Sequence, residues 1–170
     1  MLRLILLRHA KAAALAGGGD AERPLTQRGR RDALRVGDYL ASHGLFPDLA
    51  VVSTAKRTRE TLDLALETFG EPCPVYAEPR LYLAEDATLL ELMHATPPFV
   101  RLMLAVGHNP GFHDFALVMT GHGDRFARAR LEQGFPTASF AVLDFDASEW
   151  ADVRPGGGVL DRFVTPDDLG

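Results

Sequence analysis

The sequence has a single cysteine, a single tryptophan and fewer basic than acidic side chains, and it lacks any run of about 18 apolar residues. Each shortage removes a class of function. Cys73 stands alone between Pro72 and Pro74, which excludes an intramolecular disulfide and a cysteine-based metal cluster and fits a reducing, cytoplasmic setting. Without a long apolar run, no helical membrane span is expected. The opening MLRLILLRHAKAAALAGGG resembles a leader only superficially, because Arg8, His9 and Lys11 interrupt the apolar residues, so no export signal is expected either. With 18 Lys and Arg against 23 Asp and Glu, the formal net charge is −5, and nothing long-range favours nucleic acid or an anionic membrane as partner. The one basic cluster, Arg125, Arg128 and Arg130, is short, is followed by Glu132 and reads as a solvated face.

What is present suits one ordinary globular domain over residues 1–170, with 46% hydrophobic and 24% charged residues and enough chain to bury roughly two-thirds of its unfolded surface. Leu2 to Leu7 reads as a strand buried on both faces, delivering Arg8 and His9 at its carboxyl end. Lys11 to Pro24, with Gly17, Gly18 and Gly19, lacks periodicity and reads as a flexible loop. Thr26 caps a helix to about His43 whose inner face is Ala33, Leu34, Gly37, Leu40 and Ala41, and Gly44 stops it. Asp48 to Ser53 is a second strand, about Lys56 to Phe69 a helix, and Pro74 to Ala77 a short strand. Asp86 caps a helix through Met93 that ends before Pro97, and Phe99 to Val106 is the next strand. Asn109 as N-cap and Pro110 as first helical residue open a helix to about Met119, closed by Gly121. Ser139 to Phe145 and Val159 to Val164 are strands, and from about Thr165 a surface tail follows. This order argues for an α/β fold, a three-layer αβα sandwich around a mostly parallel sheet.

In such sheets ligands bind beyond the carboxyl ends of the strands. Three strand ends here carry informative residues: Arg8-His9, Ser53 followed by Arg57, and Gly107-His108-Asn109-Pro110. Taken alone, each has a plainer structural explanation, an ion pair, a solvated arginine or a capped helix. Together they suit phosphoryl transfer. Guanidinium forks at Arg8 and Arg57 match phosphoryl oxygens, and backbone N–H groups after Asn109 add positive potential, so Arg8, Arg57, His108 and Asn109 are the expected phosphate-binding set. His9 is the expected nucleophile, its second ring nitrogen fixed by an oxygen acceptor, and His108 would donate to a phosphoryl oxygen. Glu85 or Asp86, after Leu81-Tyr82-Leu83, are the candidates for the acid that protonates the leaving group.

Arg8-His9-Ala10, the stretch Ser53 to Thr61 and Gly107-His108-Asn109-Pro110 resemble the three signatures of the histidine phosphatase superfamily, the phosphoglycerate mutase-like group. Arg23-Pro24-Leu25-Thr26 followed by Gly29 resembles its small SixA-like phosphohistidine phosphatases, and Ala10 stands where the first signature usually has glycine. The resemblance implies a phosphohistidine at His9, Arg8 and Arg57 on phosphate, His108 as second pocket histidine, and neither metal nor other cofactor. Only about twenty residues separate Ala77 from Phe99, too few for the lid of the larger members, so a phosphorylated protein is the expected partner, a histidine-phosphotransfer domain among the candidates.

A small phosphomonoester is the alternative substrate, and a noncatalytic phosphate-binding module the alternative class. A metallohydrolase using His108 and His113 is disfavoured, because a spacing of five puts them about 140° apart on a helix rather than on one face. Gly17 to Gly19 lacks the Lys-Ser/Thr that a nucleotide-binding loop requires.

Overall fold

The computed structural model describes residues 1–15 and 17–170. One seven-stranded sheet is built from β1 Leu2–Arg8, β2 Leu49–Val52, β3 Val75–Ala77, β4 Leu102–Gly107, β5 Thr120–Gly123, β6 Phe140–Phe145 and β7 Gly158–Val164, in the order β3-β2-β4-β1-β6-β7-β5. Only β6 runs against the rest: it is antiparallel to β1 and β7, whereas β1 with β4, β4 with β2, β2 with β3 and β7 with β5 pair in parallel. The helices are α1 Gln27–Ser42, α2 Lys56–Leu66, α3 Asp86–His94, α4 Gly111–Met119 and α5 Arg125–Gln133. They lie on both faces of the sheet, giving the three-layer α/β sandwich expected from the element order.

β1 shows why. Its Leu2, Leu4 and Leu6 pack in the core beneath α3, α4 and α5, while Ile5 and Leu7 pack in the core beneath α1 and α2. A strand apolar on both faces has to be central, and each such side chain contributes about 1.5–3 kcal/mol on burial. α1 starts at Thr26, whose hydroxyl accepts the Gly29 N–H at 3.0 Å, and ends near Gly44 at φ 66°. Its buried stripe is Ala33, Val36, Gly37 and Leu40 with Asp32, so the inner face is turned slightly from the expected one, and Leu34 and Ala41 sit at its half-buried edge.

Several boundaries differ from the sequence reading. β4 begins at Leu102 rather than Phe99, because the chain turns after Pro97, the Val100 N–H bonding the Pro97 carbonyl, and leaves Phe99 exposed. α2 stops at Leu66 rather than Phe69; the Thr68 hydroxyl takes the Ala65 carbonyl and the last turn unwinds. Glu85, not Asp86, is the N-cap residue of α3, and Asp86 Oδ1 accepts only the neighbouring Ala87 N–H. α4 starts at Gly111, after a cis Asn109–Pro110 peptide that puts Pro110 at the cap, and the Asn109 amide donates to the Phe135 carbonyl instead of capping. Gly121 does not stop that helix but lies within β5, where a Cβ would meet the Gly156 carbonyl at 1.9 Å. The segment from Thr165 is less free than a tail: Pro166–Leu169 forms a 3-10 turn with a capping box, and Asp168 pairs with Arg130 of α5 at 2.5 Å.

Candidate active site

The loop expected over residues 11–24 is tied down at its base by an Ala12–Leu25 bridge and by the Thr26 N–H on the Lys11 carbonyl; Ala16 lies outside the described residues. It ends in a 3-10 turn, Asp20–Glu22, that returns to the carboxyl edge of the sheet. There an open cleft of about 430 Å³ is lined by Arg8, His9, Lys11, Ala12, Asp20, Arg23, Arg57, Leu83, His108, Asn109 and Thr137.

β1 presents Arg8 and then His9, whose backbone N–H bonds the Gly107 carbonyl at the end of β4. His9 Nδ1 lies 2.7 Å from the Ala10 carbonyl oxygen, which can only accept. Nδ1 therefore carries the proton and Nε2 keeps its lone pair. Ala10 itself is fully buried, its N–H on the Thr61 hydroxyl at 3.0 Å, so the methyl group in place of glycine packs into the core.

His108 follows β4, its ring centroid 5.4 Å from that of His9. Its Nδ1 faces Arg57 Nη2 at 3.3 Å, a group that can only donate, which leaves the ring proton on Nε2 for the Ser53 hydroxyl at 2.7 Å. The two imidazoles thus hold opposite tautomers. Burial, and then the cations Arg57, Arg8 and Arg23, lowers the His9 pKa to about 4. Burial, Arg57 and His9 lower that of His108 to about 3. Both rings are neutral at pH 7.

The first turn of α2 brings Arg57 to the floor of the cleft, buried to 3% exposure. Arg8 Nη1 donates to the Phe135 carbonyl at 2.9 Å, and the Nε–H groups of Arg8 and Arg57 are both buried without a protein partner. Asn109 holds Phe135 through its amide nitrogen, and its Oδ1 has no partner. A buried guanidinium at Arg57 and a half-buried one at Arg8, each with a spare Nε–H and beside a neutral histidine with a free lone pair, form a setting that accepts a tetrahedral oxyanion and can attack it.

Of the residues expected from sequence, Arg8, His9, Arg57, His108 and Asn109 meet in the cleft. Glu85 and Asp86 do not line it; both are exposed at the start of α3. The carboxylate at the site is Asp20, which sequence reasoning passed over inside an aperiodic loop. Tyr82 was missed too: its hydroxyl donates to Asp20 Oδ2. Ser53, which the sequence marks as a strand end and the start of a signature stretch but gives no role, fixes the His108 tautomer. Arg23 belonged to the Arg-Pro-Leu-Thr stretch, and its Nη1 reaches Asp20 Oδ1 at 3.0 Å. His113 points elsewhere, its Nε2 on the Leu131 carbonyl at 2.6 Å. Among the described residues no three His, Cys, Asp or Glu side chains converge as a metal site.

Comparison with known proteins gives the family and the fold. Residues 4–82 match the model of the histidine phosphatase superfamily, branch 1. An uncharacterized protein of Mycobacterium tuberculosis is 36% identical over 162 residues, covering 94% of this chain and 99% of the relative. A proposed phosphohistidine phosphatase SixA from Nakamurella multipartitia superposes with a TM-score of 0.83 at 31% identity, covering 97% of this chain and 96% of the other. Another, from Agrobacterium tumefaciens, does so with a TM-score of 0.82 at 33% identity, covering 97% and 98%. Matched by the superfamily model over residues 4–82 and 31–33% identical to these two proteins over 97% of its own length, the chain belongs to the histidine phosphatase superfamily.

Proposed function

We propose that this protein is a phosphatase that takes a phosphoryl group onto His9 Nε2 and passes it to water, acting on phosphohistidine carried by another protein. The observation that carries the reading is the His9 ring, its Nδ1–H fixed on the Ala10 carbonyl and its Nε2 lone pair beside two guanidinium groups with spare buried donors. Arg8 and Arg57 hold the equatorial oxygens, and Asn109 shapes the wall beside them. The Nε2 lone pair forms a bond to phosphorus as the bond to the substrate nitrogen breaks, and the substrate imidazole leaves with a proton. Water then attacks the phosphohistidine, and His9 is restored as neutral imidazole with orthophosphate released.

During transfer the dianion beside His108 raises that ring's pKa, so once Arg57 Nη2 turns from Nδ1 to the phosphoryl group, Nδ1 takes a proton from solvent and donates to a phosphoryl oxygen while Nε2–H stays on Ser53. Glu85 and Asp86, the acids expected from sequence, stand exposed at the start of α3 and do not line the cleft. A P–N bond breaks readily once its nitrogen is protonated, which solvent in an open cleft can supply. The shallow cleft, with only α3 and short turns between Ala77 and Phe99, favours a group displayed on a protein surface, a histidine-phosphotransfer domain for example. In this reading residues 1–170 act as one domain, in the cytoplasm and without a metal. Lys11 and Arg23 at the rim support the second reading, a small phosphoester with a further anionic group.

The test offers a phosphohistidine-bearing protein and a panel of small phosphoesters to the wild type and to His9→Ala. The expected result is preference for the protein substrate, acid-labile phosphate trapped on His9, and loss of turnover by several orders of magnitude in the variant. Equal turnover by His9→Ala rejects the nucleophile, and preference for the esters selects the second reading.

A further inference from the structure

The fork of Arg57 is already engaged. Nη1 donates to the backbone carbonyl of Asp20 at 2.8 Å and Nη2 to its Oδ2 at 3.0 Å, so one residue takes both ends. Two more donors hold that carboxylate in place, the Tyr82 hydroxyl on Oδ2 and Arg23 Nη1 on Oδ1 at 3.0 Å. The Asp20 side chain nevertheless stays 41% exposed. It follows Gly17, Gly18 and Gly19, with φ at +85° for Gly19 and no atom within 4 Å of a Cβ placed on Gly17 or Gly19. The space beside those two glycines is open, and the half-exposed carboxylate borders solvent on the side away from Arg57. Among the described residues it is the one carboxylate lining a cleft that also holds Arg8, Lys11, Arg23 and Arg57.

A carboxylate and a phosphoryl group present similar oxygen pairs to a guanidinium and compete for the same donors. We propose that Asp20 is an internal competitor for the phosphoryl site: its carboxylate holds Arg57 in the free protein, yields Nη2 when a phosphoryl oxygen arrives, and takes it back as orthophosphate leaves. The inference rests on Arg57 as a phosphate-binding residue, as in the function proposed above. Two consequences follow from the charges. The free site is partly neutralised from within, so it binds oxyanions less tightly than its four cations alone would. Return of Asp20 to Arg57 also favours product release over retention.

Calorimetric titration of the full chain with orthophosphate and with tungstate tests this, in the wild type, Asp20→Asn and Asp20→Ala, and in each of these carrying Arg57→Lys. With the Arg57 fork intact, both Asp20 variants are expected to bind either oxyanion about tenfold more tightly or better. With lysine in place of the fork, the gain should fall below about threefold. Equal gains in the two backgrounds would show only long-range repulsion and overturn the proposal. Unchanged or weaker binding in both Asp20 variants would overturn it as well, making Asp20 a support of the site. Should Asp20→Ala fail to fold, Tyr82→Phe carries the test, since it removes one anchor and keeps the carboxylate: tighter oxyanion binding supports competition, and unchanged binding rejects it. No phosphohistidine substrate is used, so failure of the substrate reading leaves this result standing. Failure of every form to bind either oxyanion overturns both.

Discussion

At the scale of single residues, the site depends on which ring nitrogen carries each proton, and that is decided by neighbours that can only donate or only accept. Ser53 is fully buried and is the acceptor for His108 Nε2–H. Ser53→Ala leaves that donor buried and unpaired, which costs about 1–3 kcal/mol. A urea denaturation midpoint should fall accordingly, with the native baseline unchanged; a loss under about 0.5 kcal/mol would mean that His108 finds another acceptor. Ser53 was visible in the sequence as a strand end, but its partnership with a histidine 55 residues away was not. Arg8, His9 and His108 were legible because they lie within two residues of the carboxyl ends of the apolar runs ending at Leu7 and Val106. Asp20 was not, since its partners Arg57 and Tyr82 lie 37 and 62 residues away and no periodicity marks its loop. Glu85 and Asp86 were placed near the site from their closeness to Leu83, but the chain turns at Leu83, with φ 52°, and carries them to the exposed start of α3.

At the scale of elements, the strands and helices that bury apolar stripes were legible, and those formed only by tertiary contact were not. β5, Thr-Gly-His-Gly, has the composition of a turn. It becomes a strand because β7 offers an edge and because Gly121 admits the Gly156 carbonyl. The α1 stripe was read one step out of phase because Asp32, polar yet buried, belongs to it: its carboxylate takes Arg35 Nη1 at 3.1 Å. Gly37, placed correctly on the inner face, has a reason that hydropathy does not show. A Cβ there would meet the Ala65 carbonyl at 2.2 Å and the Thr68 hydroxyl at 2.8 Å, so glycine lets α1 lie directly on the backbone of α2. Gly37→Ala gains helix propensity of about 1 kcal/mol, but the clash is with backbone and must push the helices apart. The expected net effect is a destabilisation of about 1–3 kcal/mol, read from a thermal or urea midpoint. Because α2 also carries Arg57, oxyanion affinity should weaken together with stability. A stabilised variant would show that the helices separate at no cost.

For the whole molecule, the cleft makes stability depend on pH in a definite direction. In the unfolded chain His9 and His108 take up protons near pH 6.5. Folded, they are held neutral until about 4 and about 3. Between these limits the unfolded state binds more protons, so acid favours it: the histidine contribution is complete above about pH 6.5 and is lost as pH falls through the folded values. Asp20 acts in the same direction over a lower range. Its pKa is depressed by the Tyr82 hydroxyl, Arg23 and Arg57, so its contribution is present above the ordinary carboxylate value near 3.9 and lost only below that. Thermal midpoints should therefore drop between pH 6.5 and 4.5 before the Asp20 carboxylate begins to protonate, and His108→Gln, which removes one titrating ring, should make that slope shallower. A flat profile in the wild type would contradict the buried neutral histidines. Saturating orthophosphate provides an opposite arm. A ligand that binds only the folded state raises the midpoint at every pH, and an anion between the two imidazoles also lifts their pKa values back toward 6.5. The acid-induced drop should then be smaller with phosphate than without it, and an identical slope would place the anion away from His9 and His108.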